Sequence, residues 1–209
     1  MTMRMFLLAV AATTLLVGTL QWKASGSLVS ARLAFDEAAF AGTRDLDSTL
    51  GGPLTAREIA RIRNVARAEV ESAFAGLRIR FTDARAFWTV RVMPTVKVPF
   101  GRRTMDVAGS AHAFGMLGGA ASVNFQMHAL NAVTYAPAGA TRKDMVDALG
   151  RGIGRSAVHE LAHLIAGSAG IHSDDEHSYE YTTAQRAWQY YGELKWASAW
   201  PLIDRRIGR

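Results

Sequence analysis

HELAHLIAGSAGIHSDDEHSYEY, residues His159–Tyr181, is the stretch from which the chain is best read. It opens with His159, Glu160 and His163 in the spacing H-E-x-x-H. On an α-helix, positions i and i+4 share a face, so two imidazoles can point at one ion. Glu160, beside the first histidine, can reach a water held at that ion and act as general base. Val158, Leu161 and Ile165 fall on the other side of the helix and can bury it. Four of the six histidines (His159, His163, His172 and His177) lie within nineteen residues. A tetrahedral catalytic site needs a third protein ligand and an open position. Three residues compete for that role. His172 follows Gly167-Ser168-Ala169-Gly170, which lets the chain turn back under the helix. Glu180 would give a His, His, Glu site, and His177 is the third candidate.

Composition narrows the chemistry. The chain has 209 residues, no cysteine and a formal net charge of +6. Without cysteine there are no disulfides, no thiolate ligands and no thiol nucleophile, so His and carboxylates are the strong metal ligands left. The arginines are scattered and do not interleave with aromatics, so the basic balance reads as solubility and no nucleic-acid partner is expected. Arg4 precedes the apolar run Met5–Leu20. A cation before a short apolar segment fits an export signal. Residues 1–25 are therefore expected to be a signal peptide or an N-terminal membrane anchor, with a membrane tether through residues 5–22 as the second form. The protein is expected to be exported, periplasmic or secreted, or anchored.

Outward from the motif, periodicity gives the remaining elements. Residues 26–54 are expected to be a linker or N-terminal segment, with one helical stretch near Val29 to Phe40. Thr55 and Glu58 form a capping box, and Ile59, Ile62, Ala66, Val70 and Ala73 recur at helical spacing, predicting a helix over 56–75. Alternation predicts strands at Leu77–Thr82 and Trp88–Val92, with Val96–Phe100 extending the sheet. Gly109–Gly119 reads as a loop, and Ser122–Met127 and Ala132–Tyr135 as short strands. Thr141 caps a helix to Leu149; Gly150, Gly152 and Gly154 are expected to loosen the chain before a second helix from Arg155 to Ala166. Thr183–Ile207 reads as helical and aromatic. This order predicts an α+β domain over 55–209, a mixed twisted sheet packed on an N-terminal helix and the motif helix, with a C-terminal helix.

The stretch His159–Tyr181 resembles the metzincin metallopeptidases, and within them the matrixins. These carry an H-E-x-x-H helix, a glycine turn, a third histidine, then Ser-Asp-Asp and a downstream Met-Tyr; His172-Ser173-Asp174-Asp175 and Tyr181 match that tail. Eight residues separate His163 from His172 where the family has five, Ala166 stands at the family's glycine, and Glu180 replaces its methionine. The last difference keeps open a third ligand of the gluzincin kind. The resemblance implies one catalytic Zn2+ on His159, His163 and His172, with Glu160 as general base and a protein or peptide substrate. It also implies a substrate-binding strand, expected near Ser122–Met127. Tyr179 and Tyr181 are expected to pack under the site, a phenol near the metal being the alternative reading. Asp174 and Asp175 could orient a ligand histidine. His112 and His128 are read as non-functional. The alternative is a non-catalytic zincin-like binding domain with a structural or vestigial metal.

Overall fold

Thr55 starts the first long helix by the box its sequence announced: its hydroxyl accepts the Glu58 amide while the Glu58 carboxylate accepts the Thr55 amide. The computed structural model describes residues 28–41, 50–113, 118–167 and 171–208. In chain order the elements are β1 (Val29–Phe35), a short 3-10 turn (Glu37–Phe40), α1 (Ala56–Ala73), β2 (Ile79–Phe81), β3 (Trp88–Met93), β4 (Lys97–Phe100) and β5 (Arg103–Asp106). Then come β6 (Gly109–Ala113), β7 (Gly119–Asn124), α2 (Phe125–Thr134), α3 (Arg142–Ala166), α4 (Trp188–Tyr191) and α5 (Trp200–Ile207). The chain is α+β with a mixed five-stranded sheet in the order β2-β1-β3-β7-β6. The first four strands are parallel, and β6 closes one edge antiparallel to β7. β3 shows the half-buried alternation its sequence predicts: Trp88, Val90 and Val92 are buried and Arg91 is exposed.

Several expectations give way to tertiary pairing. Val29–Phe35 is a strand rather than a helix, because β2 and β3 flank it on both sides and satisfy its backbone. Part of the expected linker 26–54 is thus an inner strand of the sheet. Val96–Phe100 does not extend that sheet but pairs with Arg103–Asp106 in a separate hairpin. Gly109–Ala113, expected as loop, is the edge strand β6. Ala132–Tyr135, expected as strand, ends α2, which starts where the Asn124 side chain accepts the Met127 amide. Thr183–Ile207 is not one helix: it holds only α4 and α5 within irregular chain. The residues of the expected leader or tether lie outside the described residues; among those described, no helix is long and apolar enough to cross a membrane.

The largest revision concerns α3. It runs unbroken for 25 residues through Gly150, Gly152 and Gly154. Those glycines do not loosen it; they let neighbours approach. A Cβ at Gly154 would lie 2.7 Å from the Ala66 carbonyl oxygen and 2.8 Å from the Glu69 Cβ. A Cβ at Gly150 would lie 2.8 Å from the Val65 Cβ, and one at Gly152 would collide with the Tyr190 ring. The two long helices therefore meet nearly backbone to backbone, around Ile62, Ala66 and Val70 of α1. Their N-terminal ends are tied as well. Arg142 donates to Glu58 at 2.6 Å and to the carbonyls of Leu50, Gly52 and Pro53. The other face of α3 packs on β7, β6 and β3.

Two outcomes test this packing. Gly154→Ala should destabilise the fold by roughly 1–2 kcal/mol despite the better helix propensity of alanine, because backbone cannot move out of the way. A lower urea midpoint at unchanged slope would show it. The Arg142 hydrogen bond holds the Glu58 carboxyl down at about 2, below its ordinary value near 4.5. A depressed carboxylate contributes stability above its unfolded pKa and loses it as pH falls toward the folded one. Glu58→Gln should therefore cost stability at neutral pH, with the gap to the parent protein closing between pH 4.5 and 2 in acid-unfolding curves.

Candidate metal centre

The last two turns of α3 carry His159, Glu160 and His163, and Gly167 stops the helix in the left-handed conformation (φ 63°) with its amide on the His163 carbonyl. The chain then returns. Ile171 is buried in the core, which brings its neighbour His172 back beneath the helix. Here three rings converge. His163 Nε2 lies 3.1 Å from both His159 Nε2 and His172 Nε2, and one ligand atom from each ring falls within a 4.8 Å set. Nitrogens bound to one tetrahedral zinc at about 2.0–2.1 Å sit roughly 3.3 Å apart, so the spacing fits.

Proton counting supports the same conclusion. His159 Nδ1 is 2.8 Å from the Tyr179 carbonyl, which can only accept. A neutral His159 therefore carries its proton on Nδ1 and presents a bare lone pair at Nε2. Burial pushes its pKa down to about 4, so the neutral form prevails at physiological pH. His163 Nε2 holds at most one proton and cannot satisfy two facing nitrogens by donating to both. A cation at the point of convergence resolves the conflict. The residues thus fit a metal ion, with His159, His163 and His172 as the group able to hold it.

Glu160 lies against Gly109 of β6, where any side chain would collide with its carboxylate. It is 6 % exposed, and burial alone pushes its pKa up to about 8. Both it and the three rings open into a cavity of about 510 Å³. One wall is the stretch Val107–Ala111, including the start of β6; the other is Tyr181–Ala184 with Gln189; Ser156 lies on α3 one turn before Glu160. Among the described residues β6 pairs only with β7, which makes it the end strand of the sheet, and its residues Gly109, Ser110 and Ala111 line the cavity. The expected substrate strand at Ser122–Met127 is corrected accordingly: β7 is interior, between β3 and β6, and cannot accept another strand.

The rival ligands are placed elsewhere. Glu180 is fully buried and accepts the amides of Ala197 (2.8 Å), Ser198 (3.2 Å) and Ala199. It organises the entry to α5, and its oxygens are not available to the triad. The His177 ring packs at a tilt on Trp188, 4.3 Å between ring centres. Asp175 accepts the His177 amide and lies near Lys195, and Asp174 is exposed. The Tyr179 hydroxyl points away from the triad and donates to Glu69 at 3.0 Å. Tyr181 lines the cavity, with Arg186 donating to its oxygen at 3.2 Å. His128 is a buried packing residue, 2.9 Å from the Tyr190 hydroxyl, and His112 sits exposed on β6. Sequence reasoning missed two participants: the Tyr179 carbonyl, which as backbone has no sequence signal, and Gly109, whose smallness mattered only once β6 was known to face Glu160.

No protein-family model matches the chain, and no curated protein matches it. The ligand assignment is open to direct measurement. His172→Ala should lower zinc affinity by at least a hundredfold in a chelator competition. Glu180→Gln should leave that affinity near the parent value but cost about 1–3 kcal/mol of stability, since buried amides lose a charged acceptor.

Proposed function

We propose that the protein is a zinc-dependent metallopeptidase of metzincin-like type that hydrolyses peptide bonds, with Glu160 as general base. The observation that carries this reading is the convergence of three Nε2 atoms beside a buried carboxylate, in a cavity lined in part by the sheet-end strand β6. His159, His163 and His172 would hold the zinc ion, which when bound would supply Lewis acidity toward a carbonyl and a water.

The chain's own groups do the rest. Glu160 takes the proton of the attacking water at its carboxylate and passes it to the leaving amine. The β6 edge pairs with the substrate backbone and lays an extended peptide across the cavity mouth, as strand addition does elsewhere. The Tyr181 oxygen accepts from Arg186, and its own O–H donates toward the developing oxyanion. Protein or peptide is the natural substrate class, since a strand edge recognises main chain rather than side chains. The N-terminal residues 1–25 carry the expectation that this activity is exported or tethered at a membrane.

The test combines metal analysis with cleavage. The purified protein should hold about one zinc per chain and cleave a mixed library of quenched peptides. Glu160→Gln should keep the zinc and lose activity by about 10²–10⁴-fold. Bound zinc with no cleavage by the parent protein would instead assign a zincin-like binding domain, and absence of zinc would remove both readings.

A further inference from the structure

We infer that Glu69, Arg155 and the hydroxyl of Tyr179 form a relay of positioning residues that fixes the His159 ring in its ligating orientation. The inference rests on the zinc reading of the triad. Tyr179 is used twice. Its carbonyl accepts the Nδ1 proton of His159 at 2.8 Å, while its hydroxyl donates to Glu69 Oε1 on α1 at 3.0 Å. The same Glu69 oxygen accepts from Arg155 Nε at 3.0 Å. Arg155 lies one turn before His159 on α3, so the connections close a ring: His159, Tyr179, Glu69, Arg155 and back along the helix. Arg155 also donates to the carbonyls of Trp188 (2.8 Å) and Gly192 (2.9 Å), tying the segment that carries Gln189 of the cavity wall.

Two considerations separate this ring from ordinary core packing. The Arg155 and Glu69 side chains are only 6 % and 16 % exposed. Burying an ion pair costs desolvation that apolar residues of the same volume would avoid, so such a pair is poor evidence of a stability role and better evidence of a geometric one. The second is the nature of the acceptor. A histidine ligand is oriented by whatever holds its other nitrogen, and here that acceptor belongs to a loop. The Tyr179 amide is held at 3.1 Å by the Lys195 carbonyl, but the side-chain bond to α1 is what ties the residue to a helix packed directly on α3. Gly154 makes the geometry possible, since its missing side chain lets the α1 backbone and the Glu69 Cβ come close.

The test is zinc affinity of the full-length protein, measured by competition with a chromophoric chelator, alongside the unfolding temperature of the metal-free form. Tyr179→Phe removes one oxygen and leaves the carbonyl. It should weaken zinc binding on the order of tenfold, the low end of what removing an outer partner of a ligand costs. Glu69→Ala should weaken it similarly, and the double variant no further, because both cut one path. Glu69→Gln, which retains an acceptor for the Tyr179 hydroxyl, should restore most of the affinity. Trp196→Phe perturbs the aromatic that packs on Tyr179 at 5.2 Å. It should lower the unfolding temperature while zinc affinity stays within twofold. Parent protein that binds zinc with Tyr179→Phe binding equally well overturns the relay alone. So does a loss of affinity in Trp196→Phe that equals that of Tyr179→Phe. Parent protein that binds no zinc overturns the metal reading itself. Should Tyr179→Phe fail to fold, the Glu69→Ala and Glu69→Gln pair decides by the same criterion.

Discussion

The candidate metal centre depends on how closely α1 and α3 approach. Three glycines on α3 remove the side chains that would otherwise hold a neighbouring backbone or ring away, and the Ala66 carbonyl and the Tyr190 ring occupy the space. With α1 on one side and β7, β6 and β3 on the other, α3 is buried along most of its length. A 25-residue helix so enclosed is a rigid mount. Only its last turns open to the cavity, and those turns carry the two histidines and Glu160. Precision at the site therefore derives from packing several turns upstream of it.

Two buried glutamates illustrate how surroundings divide roles. Glu180 lies in a cradle of backbone amides that satisfy its charge, and it serves to seat the C-terminal helix. Glu160 is nearly as buried, but desolvation alone acts on its carboxyl and raises its pKa. A carboxylate met by three backbone amides is committed to structure, whereas a desolvated one that lines a cavity stays open to a ligand. The same contrast separates Tyr179, whose hydroxyl is committed to Glu69, from Tyr181, which borders the cavity.

Much of the candidate site was legible in residue order because its geometry is local. The i, i+4 pairing of His159 and His163, the capping box at Thr55 and the alternation of β3 each follow from one helical turn or one strand period. Such features need no distant partner to be recognised. Val29–Phe35 and Gly109–Ala113 were misread for the opposite reason. Their backbone conformation is set by the strands beside them, and small residues such as Gly109, Ser110 and Ala111 carry little preference of their own. Considered singly, the glycines of α3 predict a loosened chain, because glycine weakens a helix; burial against α1 outweighs that cost.

The sequence by itself determined the candidate ligand types, the helical pair His159 and His163, which share a face at i and i+4, and the carboxylate of Glu160 next to the first of them. Which of three residues completes the triad was decided only in three dimensions. Loop length permits His172, His177 or Glu180 alike. The choice falls to His172 because Ile171 is anchored in the core, while Glu180 is held by the amides of Ala197–Ala199 and His177 packs against Trp188. Contacts between residues far apart in the chain carry no imprint at any one position, so packing alone could settle them.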